Sequence, residues 1–462
     1  MPLPVRRRPS PGLEPPPAAG RHMWARRRTA DIYCLSGACE NDPAHVLVGA
    51  GGYKWTAAYF SDVPQAPPDG ILKLSVLSRA DSDPAKVDLG VGAYRDDHGK
   101  PWVLPVVREA EARLAADPAF NHEYLGVGGL PALTDAAQLL ILGSDSPAIA
   151  QRRVYTIQTI SGTGANMVAA VFLNQFKRPA DAAVYISKPT WGNHRSIFET
   201  AGHVVREYRY CNYDTLGLDI EGMLADLRNA PNGQIVVLHA CAHNPTGIDP
   251  TESQWQQIAD VMAERGHFPF FDCAYQGFAT GDVDRDAYAI RLFVERGFEL
   301  LVAESFAKNM GLYGERTGCL HAVCKSADVV PQVSSQLNRL SRATISTASA
   351  YGAKIAATVL QDPALYQQWL VSMLEMSRRI KTMRDALRDR LVALGTPGSW
   401  DHVSNQIGMF SFTGLSRTQV AALRDQYHLY MTDDGRISVA GLNSHNIDYV
   451  AKSIDDVVRN IK

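Results

Sequence analysis

The sequence predicts an α/β protein, with a mostly parallel seven-stranded sheet in a larger domain and a smaller α+β domain beside it. Three observations carry this. Seven short apolar runs recur between about residues 150 and 325. Helical patterns separate them at the pace of right-handed βαβ crossovers. After residue 350 the texture changes to one long amphipathic stretch followed by two short strand candidates.

The chain has 462 residues, 46% of them hydrophobic, and a formal net charge of −2. That length can bury a large core without disulfide staples. Near-neutral charge leaves no whole-chain footprint for nucleic acid. No run approaches the roughly 20 apolar residues that span a bilayer. The seven cysteines are scattered and odd in number, which fits a reducing compartment better than a disulfide framework.

Residues 1–58 read as a poorly ordered basic and Pro-rich extension. The first 30 residues hold seven arginines, seven prolines and one acid, Glu14. Such a segment cannot build an apolar face. Its Arg content resembles a mitochondrial presequence, but the early prolines oppose the amphipathic helix that a presequence needs. A cytoplasmic location is therefore expected, with mitochondria as the alternative.

Residues 87–94 form a short apolar run ending in glycines, and Asp97–Pro101 a turn. Residues 105–116 present Val106, Ala110 and Leu114 on one helical side. The strand candidates are Val154–Thr159, Ala183–Ser187, Val204–Tyr208, Ile235–His239, Phe268–Asp272, Leu300–Glu304 and Cys319–Val323. Helices are expected over Gly164–Phe176 and Glu252–Arg265. Trp369, Met373, Met376, Ile380, Met383, Leu387 and Leu391 then repeat at spacings of three and four, one face of a long helix. Gln406–Thr413 and Arg436–Ala440 are strand candidates, with a last helix from Asn446.

Ligands of open α/β sheets bind outside the carboxyl ends of the strands, so chemistry is sought there. Ser161-Gly162-Thr163-Gly164 follows the first strand, and its small residues and helix N-terminal amides suit a phosphate. Lys308 follows the sixth strand, framed by Ser305 and Arg316, and an amine so placed can become a Schiff-base nucleophile. Asp272 closes an aromatic run, where a carboxylate needs a partner such as a pyridinium N–H, or caps the next element. Asn244 follows the fourth strand in an Asn-Pro-Thr-Gly turn. His239 and His243 have zinc-helix spacing, but Pro245 and Gly247 break helix there.

Ser-Gly-Thr-Gly, Asn-Pro-Thr-Gly, Asp-x-x-Tyr and Ser-x-x-Lys, in this order, resemble the class I (subgroup Iα) pyridoxal-phosphate aspartate aminotransferases. The resemblance runs from about Phe60 to Lys462 and is greatest to fungal-type cytosolic members. It also covers residues 88–101, His122–Leu125, Pro189–His194, His239–Gly247 and Gly408–Phe412. It implies a fold type I transferase with a large domain at 103–375 and a small one from 59–102 and 376–462. It implies the cofactor pyridoxal 5′-phosphate, a homodimer with shared sites, and exchange of amino and keto groups between L-aspartate and 2-oxoglutarate by a ping-pong mechanism.

By the same resemblance, Lys308 carries the cofactor and shuttles the Cα proton, and Asp272 keeps the ring nitrogen protonated. Tyr275 and Asn244 bond the ring oxygen, and Trp191 stacks on the ring. Gly162, Thr163, Ser305 and Arg316 hold the phosphate, joined by Tyr124 of the partner subunit. Arg436 binds the substrate α-carboxylate near Asn244 and Gly92. Arg342 of the partner subunit binds the distal carboxylate. Where Asn-Pro-Pro often follows that arginine loop, this chain has Thr347-Ala348-Ser349. The other classes considered are an aromatic or kynurenine-type aminotransferase, a silent binding protein and a nucleic-acid binder acting through the basic extension.

Overall fold

In the computed structural model, residues 60–67 and 70–461 are described, together with a two-residue antiparallel pair in which Leu47 faces Trp55 and Val48 faces Lys54. Apart from that pair, the expected extension 1–58, with Cys34 and Cys39, lies outside the described residues. Met1–Pro67 and Pro68–Lys462 are separate units. The sheet and its helices belong to the second.

All seven expected strands form. They are β1 (Val154–Ile160), β2 (Val184–Lys188), β3 (Val205–Arg209), β4 (Ile235–His239), β5 (Phe268–Cys273), β6 (Leu300–Ser305) and β7 (Thr317–Val323). Their order across one sheet is β1-β7-β6-β5-β4-β2-β3. Only β7 runs antiparallel to its neighbours, β1 and β6. The central strands read as unbroken apolar runs because both faces are covered. Val236, Leu238, Phe271 and Val302 pack on one side with helices α1 (Pro131–Leu142), α4 (Ile220–Asn229), α5 (Glu252–Arg265) and α6 (Tyr288–Glu295). Ile235, Val237, Phe270 and Ala303 pack on the other with α2 (Ser161–Phe176), α3 (Asn193–Thr200) and α7 (Val330–Thr344). Each fully buried side chain of this size contributes about 1.5–3 kcal/mol.

Helix α8 (Pro363–Ala393) has 31 residues and is about 46 Å long at 1.5 Å per residue. Asp362 caps it by accepting hydrogen bonds from the Ala364 and Leu365 amides, and Pro363 occupies its first turn. The seven apolar residues read from the sequence are all buried along it. Trp369 Nε1 donates to the Asn309 carbonyl at 2.7 Å, so this helix steadies the loop that carries Lys308.

The remaining elements are shorter than the apolar pattern implied. Gln406–Thr413 contracts to Phe410–Phe412, because Gly408 turns the chain at φ 79° and residues 401–405 are helical. Arg436–Ala440 contracts to Arg436–Ser438, followed by one 3-10 turn. These two strands pair antiparallel, with Phe412 opposite Arg436. Val87–Asp88 pairs parallel with Leu429–Tyr430. The final helix, α9 (Ile447–Asn460), closes the cluster through Val450, Ile454 and Val457. Among the described residues, no helix is long and apolar enough to cross a membrane.

Candidate active site

One cavity lies at the carboxyl ends of β1, β4, β5 and β6. Gly162, Thr163, Trp191, Asn244, Asp272, Tyr275, Ser305, Lys308 and Arg316 all line it. Nine expected site residues from separate parts of the chain therefore meet in one place.

One end of the cavity is built by the β1–α2 junction. Helix α2 begins at Ser161, three residues earlier than its apolar pattern suggests, so Gly162 and Thr163 present first-turn amides that no helix carbonyl can satisfy. Ser161 has φ 57°, and its hydroxyl lies 2.9 Å from that of Ser305. A Cβ on Gly162 would press on Ser305 Cβ at 3.2 Å. A Cβ on Gly318 would meet the Glu304 carbonyl oxygen at 2.5 Å and Ser161 backbone at 2.7 Å. Gly318→Ala must displace this junction and is expected to cost about 1–3 kcal/mol. Chemical denaturation of the variant, read beside its cofactor affinity, checks this; an unchanged midpoint with unchanged affinity contradicts it.

Part of the backbone strain is stored here. Ser161, Ala242 (φ 49°), Arg316 (φ 54°) and Ser346 (φ 66°) are left-handed residues that are not glycine. The first three belong to loops bearing Gly162, Asn244 and Arg316, and the fourth lies beside Arg342. Such conformations cost about 1–3 kcal/mol each and collect at functional sites.

Lys308 enters the cavity from the loop after β6. Its Nζ lies 4.9 Å from the centre of the Tyr275 ring. Burial lowers its basicity below the ordinary lysine range, opposed by the Asp272 carboxylate and aided by the Arg316 charge. Burial alone would raise the Asp272 carboxyl. The His194 hydrogen bond, with the nearby Lys308 charge, overcomes this and holds it below the usual carboxylate range.

A relay of side chains orients Asp272. The Asn244 backbone N–H donates to His239 Nδ1 at 3.4 Å, which leaves the proton on Nε2. His239 Nε2 then donates to Thr190 Oγ1 at 3.1 Å, and the Thr190 hydroxyl donates to His194 Nδ1 at 2.8 Å. His194 Nε2 donates to Asp272 Oδ2 at 2.9 Å. Burial, followed by the His243 and His194 charges, pushes His239 well below the usual imidazole range, consistent with a neutral ring. Asn166 Nδ2 donates to both the Gly162 carbonyl and Asp272 Oδ2, joining the carboxylate to the β1–α2 junction. The sequence gives no site role to His194 or Asn166, and for His239 only the zinc-like spacing that Pro245 and Gly247 oppose. His194 had a readable signal: it follows Trp191 by three residues at the start of a helix after β2.

Arg436 reaches the site from the smaller strand pair. It is 4% exposed. Its Nη2 donates to the Gly90 carbonyl at 2.7 Å and its Nη1 to Asn244 Oδ1 at 3.5 Å. Its guanidinium sits 4.3 Å from the Phe410 ring centre. Its Nε has no hydrogen-bond partner, and burial lowers its pKa. Among the described residues it makes no ion pair, so a buried cation is left for an anion to satisfy. Gly92 lies against the same ring: a Cβ there would meet Phe410 Cζ at 2.9 Å.

Two expected residues stand apart from the cavity of their own chain. Tyr124 is 83% exposed. Arg342, in the last turn of α7, donates to Ser346 Oγ.

Comparison with known proteins agrees with this geometry. Residues 84–454 match the family model for aminotransferase class I and II. The chain belongs to this aminotransferase family. Within it, the cytoplasmic aspartate aminotransferase of Saccharomyces cerevisiae is 50% identical over 411 residues, covering 87% of this chain and 98% of that protein. The cytoplasmic aspartate aminotransferase of Gallus gallus is also 50% identical, over 410 residues, covering 88% and 100%. The solved yeast cytoplasmic structure superposes with a TM-score of 0.86, covering 88% of this aminotransferase and all of that chain. An aromatic-amino-acid aminotransferase from Burkholderia pseudomallei, solved covalently bound to pyridoxal phosphate, gives a TM-score of 0.84 at 43% identity, covering 87% and 99%.

Proposed function

We propose that this aminotransferase is an aspartate transaminase that exchanges amino and keto groups between L-aspartate and 2-oxoglutarate, giving oxaloacetate and L-glutamate in alternating half-reactions. The observation that carries the reading is the convergence of Lys308 and Asp272 in one cavity beside Arg436, a buried cation with no carboxylate partner. The relatives named aspartate aminotransferase support it across nearly their whole length.

The residues fit pyridoxal 5′-phosphate. Gly162, Thr163, Ser305 and Arg316 offer amides, hydroxyls and a cation at one end of the cavity, and a Gly162 side chain would crowd it. Asp272 offers a carboxylate held ionised by His194. When bound, the cofactor supplies a protonated pyridine ring that spreads the negative charge left on Cα. Asp272 would hold the proton on the ring nitrogen. Tyr275 and Asn244 would donate to the ring oxygen, and Trp191 would cover one ring face. Burial favours the neutral Lys308 amine, so its Nζ would take the substrate Cα proton and return it on the other side of the exchange. Arg436 would bind the α-carboxylate through its planar fork, with Asn244 and Gly92 beside it.

The same reading includes a homodimer in which Tyr124 of the partner subunit joins the phosphate and Arg342 of the partner subunit binds the distal carboxylate. The exposure of Tyr124 supports this, as does an apolar groove of Ile157, Ile160, Met167, Val168 and Ile345 beside Thr163 and Arg316. It also includes a large domain at 103–375 and a small domain from 59–102 and 376–462. The names of the relatives support a cytoplasmic location.

The decisive assay is oxaloacetate release from aspartate plus 2-oxoglutarate, with phenylalanine as the competing amino donor. Arg342→Leu is expected to lose about 2 kcal/mol or more, roughly 30-fold, in kcat/KM for aspartate. Phenylalanine gives a distal arginine nothing to pair with, so its kcat/KM should fall far less. Equal losses favour the aromatic aminotransferase reading instead.

A further inference from the structure

A second cleft opens beside the first and shares Trp191 and Asn244 with it. Four cations line it, Lys73, Arg417, Arg424 and Arg436, against two carboxylates, Asp433 and Asp434. Their existing partners differ. Arg424 is held by Asp425 at 2.8 Å and Asp433 at 3.7 Å. Asp434 accepts from the Thr432 hydroxyl and the Arg436 amide. Arg436 is buried at the inner end, as described above. Lys73, on the helix Gly70–Ala80, and Arg417, at the start of the helix Arg417–Tyr427, are both exposed and carry no ion pair among the described residues.

Two unneutralised cations therefore flank the approach to a buried third. We infer that Lys73 and Arg417 form a cationic vestibule that draws the oxo-acid substrate toward Arg436 and favours it at encounter over the amino-acid substrate. The inference rests on the aspartate transaminase reading and deepens it. At neutral pH a 2-oxo dicarboxylate carries two negative charges. Its amino counterpart carries a net charge of one, because its ammonium cancels a carboxylate. A field from fixed charges acts in proportion to ligand charge, so the oxo-acid gains twice the attraction in free-energy terms. Clefts lined by one sign of charge raise association rates, and salt removes the effect over a Debye length. Neither residue touches the reacting atoms; both act on the approach.

The test measures kcat/KM for each substrate across ionic strength, using the holoenzyme and the double variant Lys73→Gln/Arg417→Gln. At about 10 mM ionic strength the variant is expected to lose about three- to tenfold for 2-oxoglutarate, and about the square root of that for aspartate. Its kcat is expected to stay at the wild-type value, and its kcat/KM to converge with wild type at about 0.5 M salt. The double variant Lys73→Arg/Arg417→Lys should keep the wild-type salt slope. Equal losses for the two substrates, or a loss that salt does not remove, overturn the vestibule while leaving the transaminase reading intact. A wild-type protein that makes no oxaloacetate from this substrate pair overturns the transaminase reading, and the vestibule with it.

Discussion

Lys308→Ala is expected to reduce turnover of aspartate with 2-oxoglutarate by about 10⁴-fold or more, the upper end of what a positioned acid–base group contributes. The lysine combines two functions at one atom. It is the amine in the cavity able to bond covalently to an aldehyde, and its lowered basicity favours the neutral form that can accept a proton. Alanine removes both without enlarging the core, since the side chain points into the cavity rather than between packed layers. The fold should survive, because Phe306 and Met310 on either side remain fully buried and Trp369 still holds the Asn309 carbonyl. The measurement is single-turnover and steady-state oxaloacetate release at saturating cofactor, with thermal unfolding run in parallel. Turnover within tenfold of wild type would remove Lys308 from the mechanism.

Asp272→Asn is expected to cost about 10²–10³-fold in kcat, the range seen when one preorganised electrostatic contact in an active site is removed. Asparagine keeps the size of the side chain and can still accept from His194. It loses the charge that would hold a proton on the ring nitrogen. The relay from the Asn244 backbone N–H through His239, Thr190 and His194 is oriented to donate to a carboxylate. It supplies no replacement negative charge. The discriminating measurement is the split between kcat and cofactor affinity. A large fall in kcat with smaller loss of binding supports the electronic role. A loss of binding alone, with kcat restored at saturating cofactor, would make Asp272 a structural anchor.

The parts of this molecule that were readable from the chain were those where one residue type answers to one local force. Ile235–His239 and Glu252–Arg265 have the expected bounds, because the first is β-branched and buried on both faces and the second carries a Thr251–Gln254 capping box and a left-handed Gly266 cap. Pro105 likewise marks the start of Pro105–Ala116. The early start of α2 was hidden because Gly162 and Thr163 have weak helix propensity, and the turn at Ser161 is imposed by its neighbours in the fold. Gln406–Thr413 looked like one strand because apolar patterning does not register a turn at Gly408. Lys308, Asp272 and Arg316 are legible because each lies within or beside a strand end at the same sheet edge. The His194–Thr190–His239 relay was not, because three polar residues 49 positions apart at their extremes gain meaning only when β2 and β4 lie side by side.

The reversed strand β7 sets a length constraint on the chemistry. β1, β4, β5 and β6 bring their carboxyl ends to the crevice, but β7 brings its beginning. The chain therefore leaves the crevice edge at Ser305, passes Lys308, and returns to the same edge at Arg316 within a single loop. The Phe306 amide bonds the Thr317 carbonyl and closes the base of that loop. The Lys308 amine and the Arg316 cation are thus joined by a fixed run of backbone, in the manner of a ruler. A helical crossover can absorb an inserted residue in its outer turns. This loop has no such reserve, so an added or deleted residue between Lys308 and Arg316 would shift one functional group against the other while leaving every strand of the sheet in register.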